Sequence, residues 1–226
     1  MAAARAHLAD GMEGSGGEEA PRPFRQAVAA LAEVRPRPEV RLGPLPAPRR
    51  LAPFAYALEA AVEVDGEELA DGRFVLLHDP AGQEAWQGTF RVVTLARAEL
   101  EPEIAADPLL PEVTWAWLTG ALQARRAAYA EPGGTVTRAS SHSFGELAGQ
   151  APHSEIEIRA SWTPREARDP GSPRAPRELG ELPGNTAGGH LYAWCDLLSQ
   201  CAGLPPEDGT GAAVVPLPQR RGPQPL

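Results

Sequence analysis

The sequence predicts an α+β protein, a two-layer sandwich in which three helices cover one face of a five-stranded, mainly antiparallel sheet. Several segments alternate apolar and polar residues with a period of two, as half-buried antiparallel strands do. Three other segments repeat apolar residues at helical spacing. The predicted order, α-β-β-β-α-β-β-α, places strands in runs rather than in alternating βαβ units, which favours one α+β domain over a parallel sheet.

The first half of the chain begins with a predicted helix and continues with strands. Phe24, Val28 and Leu31 share one side of a helix that opens at Pro23 and stops before Pro36. Alternation and β-branched residues then predict strands at 54–64, 74–78 and 89–98, and a short strand could lie at 40–42.

The second half contains two predicted helices around a pair of strands. Asp107-Pro108 is typical of a helix start and Gly133-Gly134 of a break, so we predict a helix over 107–128. The other predicted elements are strands at 135–144 and 155–162 and a helix at 189–202. The sheet face turned away from the helices is predicted to be charged, with Glu59, Glu63, Arg91, Arg97, Glu157 and Arg159.

Glycine and proline are abundant, and the segments richest in them divide the chain. The sequence has 23 Gly and 25 Pro among 226 residues, well above average usage. We therefore predict one domain over 23–204, a disordered arm at 1–22, a flexible insert at 164–187 and a disordered tail at 205–226.

Composition excludes several classes of function. Every basic residue is arginine, and without lysine neither a Schiff-base enzyme nor a Walker-type phosphate loop is possible. A net charge of −9 and a pI near 5.1 argue against a nucleic-acid binder. Because the sequence shows no apolar run of membrane-spanning length and no signal-peptide pattern, we expect a cytoplasmic protein without membrane contact. No motif predicts a cofactor.

The two cysteines, Cys195 and Cys201, are predicted to be buried free thiols. Six residues apart on a helix, they point in widely separated directions and cannot form a disulfide. Only His190 lies near them in the sequence, which is too few ligands for a metal site.

Two places offer candidate catalytic residues. Ser140 and His142 would share one face of the fourth predicted strand with Arg138, as a nucleophile beside a base, although no nucleophile elbow surrounds the serine. The alternative there is a polar strand patch. His78 and Asp79 could be an acid–base pair, but neighbours on a strand point to opposite faces, so a strand end followed by its turn is the alternative.

An arginine-rich segment could contact an anion. Five arginines lie between 35 and 50 among prolines, and Arg49 and Arg50 are the candidate contacts. The alternative is an extended linker whose arginines dock on acidic surface elsewhere in the protein.

Surplus tryptophan on the predicted 107–128 helix indicates a partner surface. Trp115 and Trp117 are 200° apart on a helix, so both cannot face one core. We assign Trp117 to the core side, and Trp115 with Leu118 and Leu122 to a second, partner-binding stripe, because tryptophan is enriched at interfaces.

Several long strings resemble one family. They are PLPAPRRLAPFAYAL, GRFVLLHDPAGQEAWQGTFRVV, TWAWLTGAL, TRASSHSFG and HLYAWCDLLSQCAGLPP. Over 24–204 the chain resembles an uncharacterised actinobacterial family, the domain of unknown function numbered three thousand. The resemblance implies no activity, and genes of similar proteins tend to sit beside a ribonuclease D-like gene. The element order also resembles that of type III secretion chaperones, in topology only.

Three functions follow as expectations. The leading one is a non-enzymatic adaptor or chaperone-like protein, a homodimer or a binder of another protein. The first alternative is a small-molecule or phosphate-handling enzyme that uses Ser140 and His142. The second is an accessory factor in RNA processing, indicated by the gene neighbourhood and the arginine run.

Overall fold

The computed structural model describes residues 20–165 and 186–206. Its elements in chain order are α1 (Arg22–Ala32), β1 (Val40–Leu45), β2 (Phe54–Val64), β3 (Glu67–Gln83), β4 (Gly88–Glu99), α2 (Pro102–Ala105), α3 (Leu110–Ala124), β5 (Tyr129–Ser141), β6 (His153–Pro164) and α4 (Ala187–Cys201). Single 3-10 turns lie at Glu84–Trp86 and Gly145–Leu147.

The predicted α+β class is confirmed: within the described residues, three helices of 11 to 15 residues accompany a single antiparallel sheet. The sheet has six strands rather than five, in the order β1-β2-β3-β4-β6-β5. The additional strand is β1, whose residues pair with β2 from Val40↔Val62 to Leu45↔Ala57. As an edge strand, β1 tolerates Pro44, which has no N–H for the ladder.

Most of the predicted arm, insert and tail lies outside the described residues. At three of the predicted boundaries the described residues belong to a helix or a strand, so the arm ends and the insert begins and ends within a few residues of the predicted positions. Arg22 begins α1, Pro164 ends β6 and Ala187 begins α4.

Two strands are longer than predicted and run through a glycine, β3 through Gly72 and β5 through Gly134. β3 runs over Glu67–Gln83 instead of 74–78, and β5 begins at Tyr129 instead of 135. At both glycines an indole lies on the backbone: a Cβ on Gly72 would come within 2.8 Å of Trp194, and one on Gly134 within 2.9 Å of Trp115. A backbone carbonyl of the neighbouring strand lies nearer still, that of Leu95 at Gly72 and that of Arg159 at Gly134. Close approach of this backbone and of an indole, rather than a turn, explains the two glycines.

The helices pack on one face of the sheet. The buried residues of the strands on this face include Val62, Phe74, Val92, Ile158 and Trp162. α4 contacts both α1 and α3 and packs on the central strands, so eleven of its residues are buried. None of the helices in the described part of the chain has the length and apolar character needed to cross a lipid bilayer.

Candidate protein-binding surface

The helix α3 is apolar on nearly all sides, and the fold covers only part of it. Its sequence, LPEVTWAWLTGALQA, carries one charged residue, Glu112. The side against the sheet and α4 holds its buried residues, which are Leu110, Thr114, Leu118, Ala121 and Leu122. A helix that is apolar all round is normally covered all round, so the remaining side is the feature to explain.

That remaining side is an exposed apolar stripe, which we call the α3 stripe. It consists of Leu109, Val113, Ala116, Gly120 and Ala124, spaced three or four residues apart so that they line one side of the helix. Leu109 is 62% exposed and Val113 38% exposed. Its last three residues are small, and the exposed side chains of Glu112 and Gln123 lie along one edge of it.

The two tryptophans flank the buried side of α3. Both Trp115 and Trp117 are half-buried and packed against the core. Because they lie on opposite shoulders of the buried side, the helix does not have to expose either of them fully. Trp115 covers Gly134 of β5, whereas Trp117 borders the α3 stripe, four residues after Val113 and three before Gly120.

The predicted partner stripe was therefore placed on the wrong side of the helix. Leu118 and Leu122 are each 1% exposed and belong to the core, and Trp115 lies on the sheet. Val113, on the side of the helix that was assigned to the core with Trp117, is exposed. On a helix this apolar, periodicity does not distinguish the covered side from the uncovered one.

Gly120, in the middle of the stripe, has no structural reason within the described chain. A Cβ built on it meets no atom within 4 Å, and its φ is not positive. Glycine inside an exposed helix costs about 1 kcal/mol relative to alanine. No contact within the described residues requires this cost.

α3 is held in place by α4. Arg125, just after its last turn, donates two hydrogen bonds to Asp196, from Nε at 2.6 Å and from Nη2 at 2.7 Å. The same guanidinium lies 5.0 Å from the ring centre of Tyr192. A bidentate pair of this kind fixes orientation as well as distance, so the α3 stripe is presented on a rigid element.

The predicted Ser140 and His142 are not brought together as a nucleophile and a base. β5 ends at Ser141, so His142 lies beyond the strand, and both candidate side chains are exposed. The Ser140 hydroxyl lies 2.8 Å from the hydroxyl of Ser154 on β6. Arg138 donates to the carbonyl of Asp107 at 2.7 Å. These contacts tie an edge strand to its neighbours and fit the polar strand patch.

His78 is a core residue. Its ring stacks on Phe90 with centres 4.1 Å apart and faces Phe24 at 5.9 Å. Nδ1 donates to the carbonyl of Thr89 at 3.0 Å, and burial lowers the pKa of the ring. Asp79 accepts from the Ala81 backbone and the Gln83 amide instead, which fits a strand end and its turn rather than an acid–base pair.

The arginine run divides into structural and exposed members. Arg35 donates to the carbonyls of Ala32 and Val34 at the end of α1, and Arg37 pairs with Glu39. Arg49 and Arg50 are exposed in the connection between β1 and β2. The contacts of Arg35 and Arg37 agree with the interpretation of this segment as a linker. Contact of Arg49 and Arg50 with an anion stays a prediction.

The sequence did not predict the buried hydrogen bond between Trp162 and His190, but it did predict that both cysteines are buried and free. The indole of Trp162 donates to Nδ1 of His190 at 3.1 Å, a contact between residues 28 positions apart that no local pattern could reveal. Cys195 and Cys201 are both free and buried, as predicted. Among the described residues, no three His, Cys, Asp or Glu side chains form a group that could hold a metal ion.

These features place the protein in the class of α+β proteins with a single antiparallel sheet and helices on one of its faces, and one of those helices has an exposed apolar side. The family model of a protein of unknown function, DUF3000, matches residues 20–211, and the chain belongs to this family. The match confirms the resemblance inferred from the sequence. No curated protein and no solved structure matches the chain, so the likeness to type III secretion chaperones stays a prediction.

Proposed function

We propose that this protein is a non-enzymatic adaptor or chaperone-like protein whose α3 stripe binds an apolar helical segment of another protein. The observation that carries the proposal is the row of apolar and small residues on the exposed side of α3, which Glu112 and Gln123 border along one edge. A cytoplasmic location is part of the same proposal, and two buried free thiols agree with a reducing compartment.

The shape of the stripe supports a helix as the partner element. Ala116, Gly120 and Ala124 recur every four residues, which leaves a shallow groove along α3. Ridges of an opposing helix fit such grooves, and small residues let the two backbones approach closely. An amphipathic helix would place its apolar anchors against Val113 and Trp117 at the margin of the groove.

The alternatives have weaker support. An enzyme that uses Ser140 and His142 needs the two side chains to act together, and the serine hydroxyl contacts Ser154 instead. A role in RNA processing depends on Arg49 and Arg50, which are exposed but stand on a chain with a net charge of −9.

Gly120→Arg tests the proposal, because it fills the groove without an internal clash. The matched control is Ala29→Arg, which adds the same side chain at an exposed position of α1. We expect a protein from native lysate to be retained by the wild type and by Ala29→Arg but lost from Gly120→Arg. With that protein purified, calorimetry should give a Kd at least about tenfold weaker for Gly120→Arg, or 1.4 kcal/mol.

A companion variant separates folding from binding. Gly120→Ala should raise the free energy of unfolding by about 1 kcal/mol, since nothing in the described chain contacts that position. The proposal is wrong if the wild type retains no protein in the capture experiment, or if Gly120→Arg binds the purified partner as tightly as Ala29→Arg does.

A further inference from the structure

The strand β5 lies at the outer edge of the sheet, and in the described chain only β6 pairs with it. Its regular part begins after a bulge, where the register shifts between Ala130 and Gly133, and it ends at Ser141. We call residues 133–141 the β5 edge. All of them except Val136 and Ala139 are exposed, so the strand is accessible along its whole length.

The β5 edge lacks the features that usually protect an unpaired strand. Protected edge strands are short or carry proline or several charges, and β1, at the opposite edge of the sheet, has six residues and includes Pro44. The β5 edge is longer and contains no proline. Its single charged residue is Arg138, whose Nη1 donates to the backbone carbonyl of Asp107 at 2.7 Å. The strand is therefore a template for pairing with a further strand.

Two backbone hydrogen bonds show which groups of β6 point towards β5. The N–H of Leu100 donates to the carbonyl of Ser154 at 2.9 Å, so the backbone groups of Ser154 point to β4. Because successive residues of a strand alternate, the even-numbered residues of β6 point to β4 and the odd-numbered ones to β5. The bond from the N–H of Arg165 to the carbonyl of Ala128 agrees with this assignment.

The same alternation leaves half of the β5 edge unpaired. The odd-numbered residues of β5 from Gly133 to Ser141 lie opposite odd-numbered residues of β6 and bond to them. The N–H and C=O groups of the remaining residues point outward, and no described strand or loop bonds to them. These residues are Gly134, Val136, Arg138 and Ser140.

We propose that the β5 edge pairs with the β5 edge of a second copy of the chain, antiparallel, around a two-fold axis at Thr137. Residues equally far from Thr137 then lie opposite each other. Gly134 lies opposite Ser140 of the second copy, and Val136 opposite Arg138 of the second copy. All the outward N–H and C=O groups of both strands are paired in this register. An edge that matches itself in this way is what a two-fold interface requires.

The position of α3 along β5 places Glu112 beside this interface. Trp115 lies on Gly134, and the carbonyl of Asp107 accepts from Arg138, so α3 runs antiparallel to β5. Glu112 therefore lies at a level between Gly134 and Arg138, nearer to Gly134. Glu112 is exposed and forms no ion pair with a described residue.

Charge complementarity favours a second copy as the occupant. Glu112 is about 140° around α3 from Arg125, which contacts α4, so Glu112 points away from α4 and towards the β5 edge. In the two-fold register its level coincides with that of Arg138 of the second copy. The two opposite charges therefore meet, and they meet twice by symmetry. Because Arg138 is the only charged residue of the β5 edge, no like charges lie opposite each other in the ladder.

This inference does not rest on the α3 stripe. The pairing uses the backbone of β5 and the polar edge of α3, whereas the proposed function uses the apolar stripe. Loss of the dimer and loss of partner capture are separate results, so each proposal can fail without the other.

Disulfide cross-linking tests the register. In the proposed dimer Thr137 lies opposite Thr137 of the second copy at a position without hydrogen bonds, where Cα atoms are about 4.5 Å apart, a distance that a disulfide spans. We expect Thr137→Cys to form a cross-linked dimer under mild oxidation with diamide. Thr135→Cys is the matched control and should cross-link at least about tenfold more slowly, because its two thiols would be about 13 Å apart. The native cysteines are buried and do not compete.

A proline variant tests the outward backbone groups. Ser140→Pro removes an outward N–H without removing a bond to β6, and proline is tolerated at such edge positions. Ser140→Ala is its control, because both variants lose the hydroxyl contact with Ser154 and only the proline variant loses the N–H. By light scattering and sedimentation, we expect a wild-type dimer that Ser140→Pro weakens at least about tenfold and Ser140→Ala leaves intact.

Three results would each overturn the inference. The first is a wild-type protein that stays monomeric from about 1 to 100 µM. The second is Thr135→Cys cross-linking as readily as Thr137→Cys. The third is Ser140→Pro, folded by circular dichroism, forming a dimer as tight as that of Ser140→Ala.

Discussion

His190 shows how one buried side chain couples this fold to pH. Its Nδ1 accepts the hydrogen bond from the Trp162 indole, so the neutral ring carries its proton on Nε2. Nε2 is buried without a hydrogen-bond partner among the described residues. Burial lowers the pKa of His190 to about 4, because no nearby charge offsets the loss of hydration.

We therefore expect stability to fall in acid. Between an unfolded pKa of about 6.5 and the folded value of about 4, the unfolded chain binds a proton that the folded chain does not. In that window the free energy of unfolding should fall by about 1.4 kcal/mol for each unit of pH from this group alone. Burial lowers the pKa of His78 as well, which adds to the slope in the same direction.

Urea titrations from pH 7 to pH 4.5 measure how the free energy of unfolding changes with pH. The variant His190→Asn shows how much of that change comes from His190. Asparagine keeps an acceptor near the position of Nδ1 but does not titrate. The variant should unfold with a clearly smaller dependence on pH than the wild type. An unchanged slope in His190→Asn would mean that other groups cause the acid sensitivity.

At the scale of elements, the two sides of α3 differ in what they contact. On one side Trp115 packs on Gly134 of β5, and on the other side lies the exposed α3 stripe. Trp115 lies on Gly134, where the absence of a side chain lets the indole reach the β5 backbone. Trp117 stands on the opposite shoulder, beside the α3 stripe. The two indoles are equally polar, so their different surroundings decide what each contributes.

Replacing each tryptophan by alanine should separate these contributions. A fully buried tryptophan costs about 3–5 kcal/mol on truncation, and both residues here are half-buried. We expect Trp115→Ala to cost about 2–3 kcal/mol through the void left over Gly134. Trp117→Ala should cost about 1–2 kcal/mol and should also weaken binding of the partner captured through the α3 stripe.

Thermal melts and calorimetry on the purified partner give the two readouts. If Trp115→Ala lowers partner binding more than Trp117→Ala does, the binding surface lies on the β5 side of α3, and the α3 stripe is the wrong surface.

At the scale of the whole molecule, α4 is the central element of the helix layer, and its two thiols report on global opening. Cys195 and Cys201 are buried and free. Burial raises the pKa of both thiols, that of Cys201 to about 12, so neither is a reactive thiolate at neutral pH.

We expect neither cysteine to react with an aromatic disulfide reagent in the native protein, and both to react in urea. Labelling should follow the unfolding transition seen by circular dichroism, because α4 packs on the sheet and on two helices and cannot open alone. Fast labelling without urea would show that α4 opens locally. Peptide mapping would then tell which thiol is exposed.

Much of this architecture is determined by local sequence pattern. Alternation from Phe54 to Val64 defines β2 to the residue, since each side chain either enters the core or leaves it. The same rule places Glu59, Arg97 and Glu157 on the face away from the helices, as their register shows. Apolar spacing defines α1 and α4, and the position of the cysteines on α4 accounts for their buried, unpaired state.

Tertiary contacts decided what local pattern left open. β1 exists because the edge of β2 offers it a partner. Gly72 and Gly134 lie inside β3 and β5 because a carbonyl of the neighbouring strand and an indole from the helices leave no room for a side chain there. The buried side of α3 was set by the sheet and α4, since the narrow polar edge formed by Glu112, Thr119 and Gln123 leaves most of the helix circumference apolar. The α3 stripe is the exposed side of its helix only in the folded protein, because the sheet and α4 cover the opposite side.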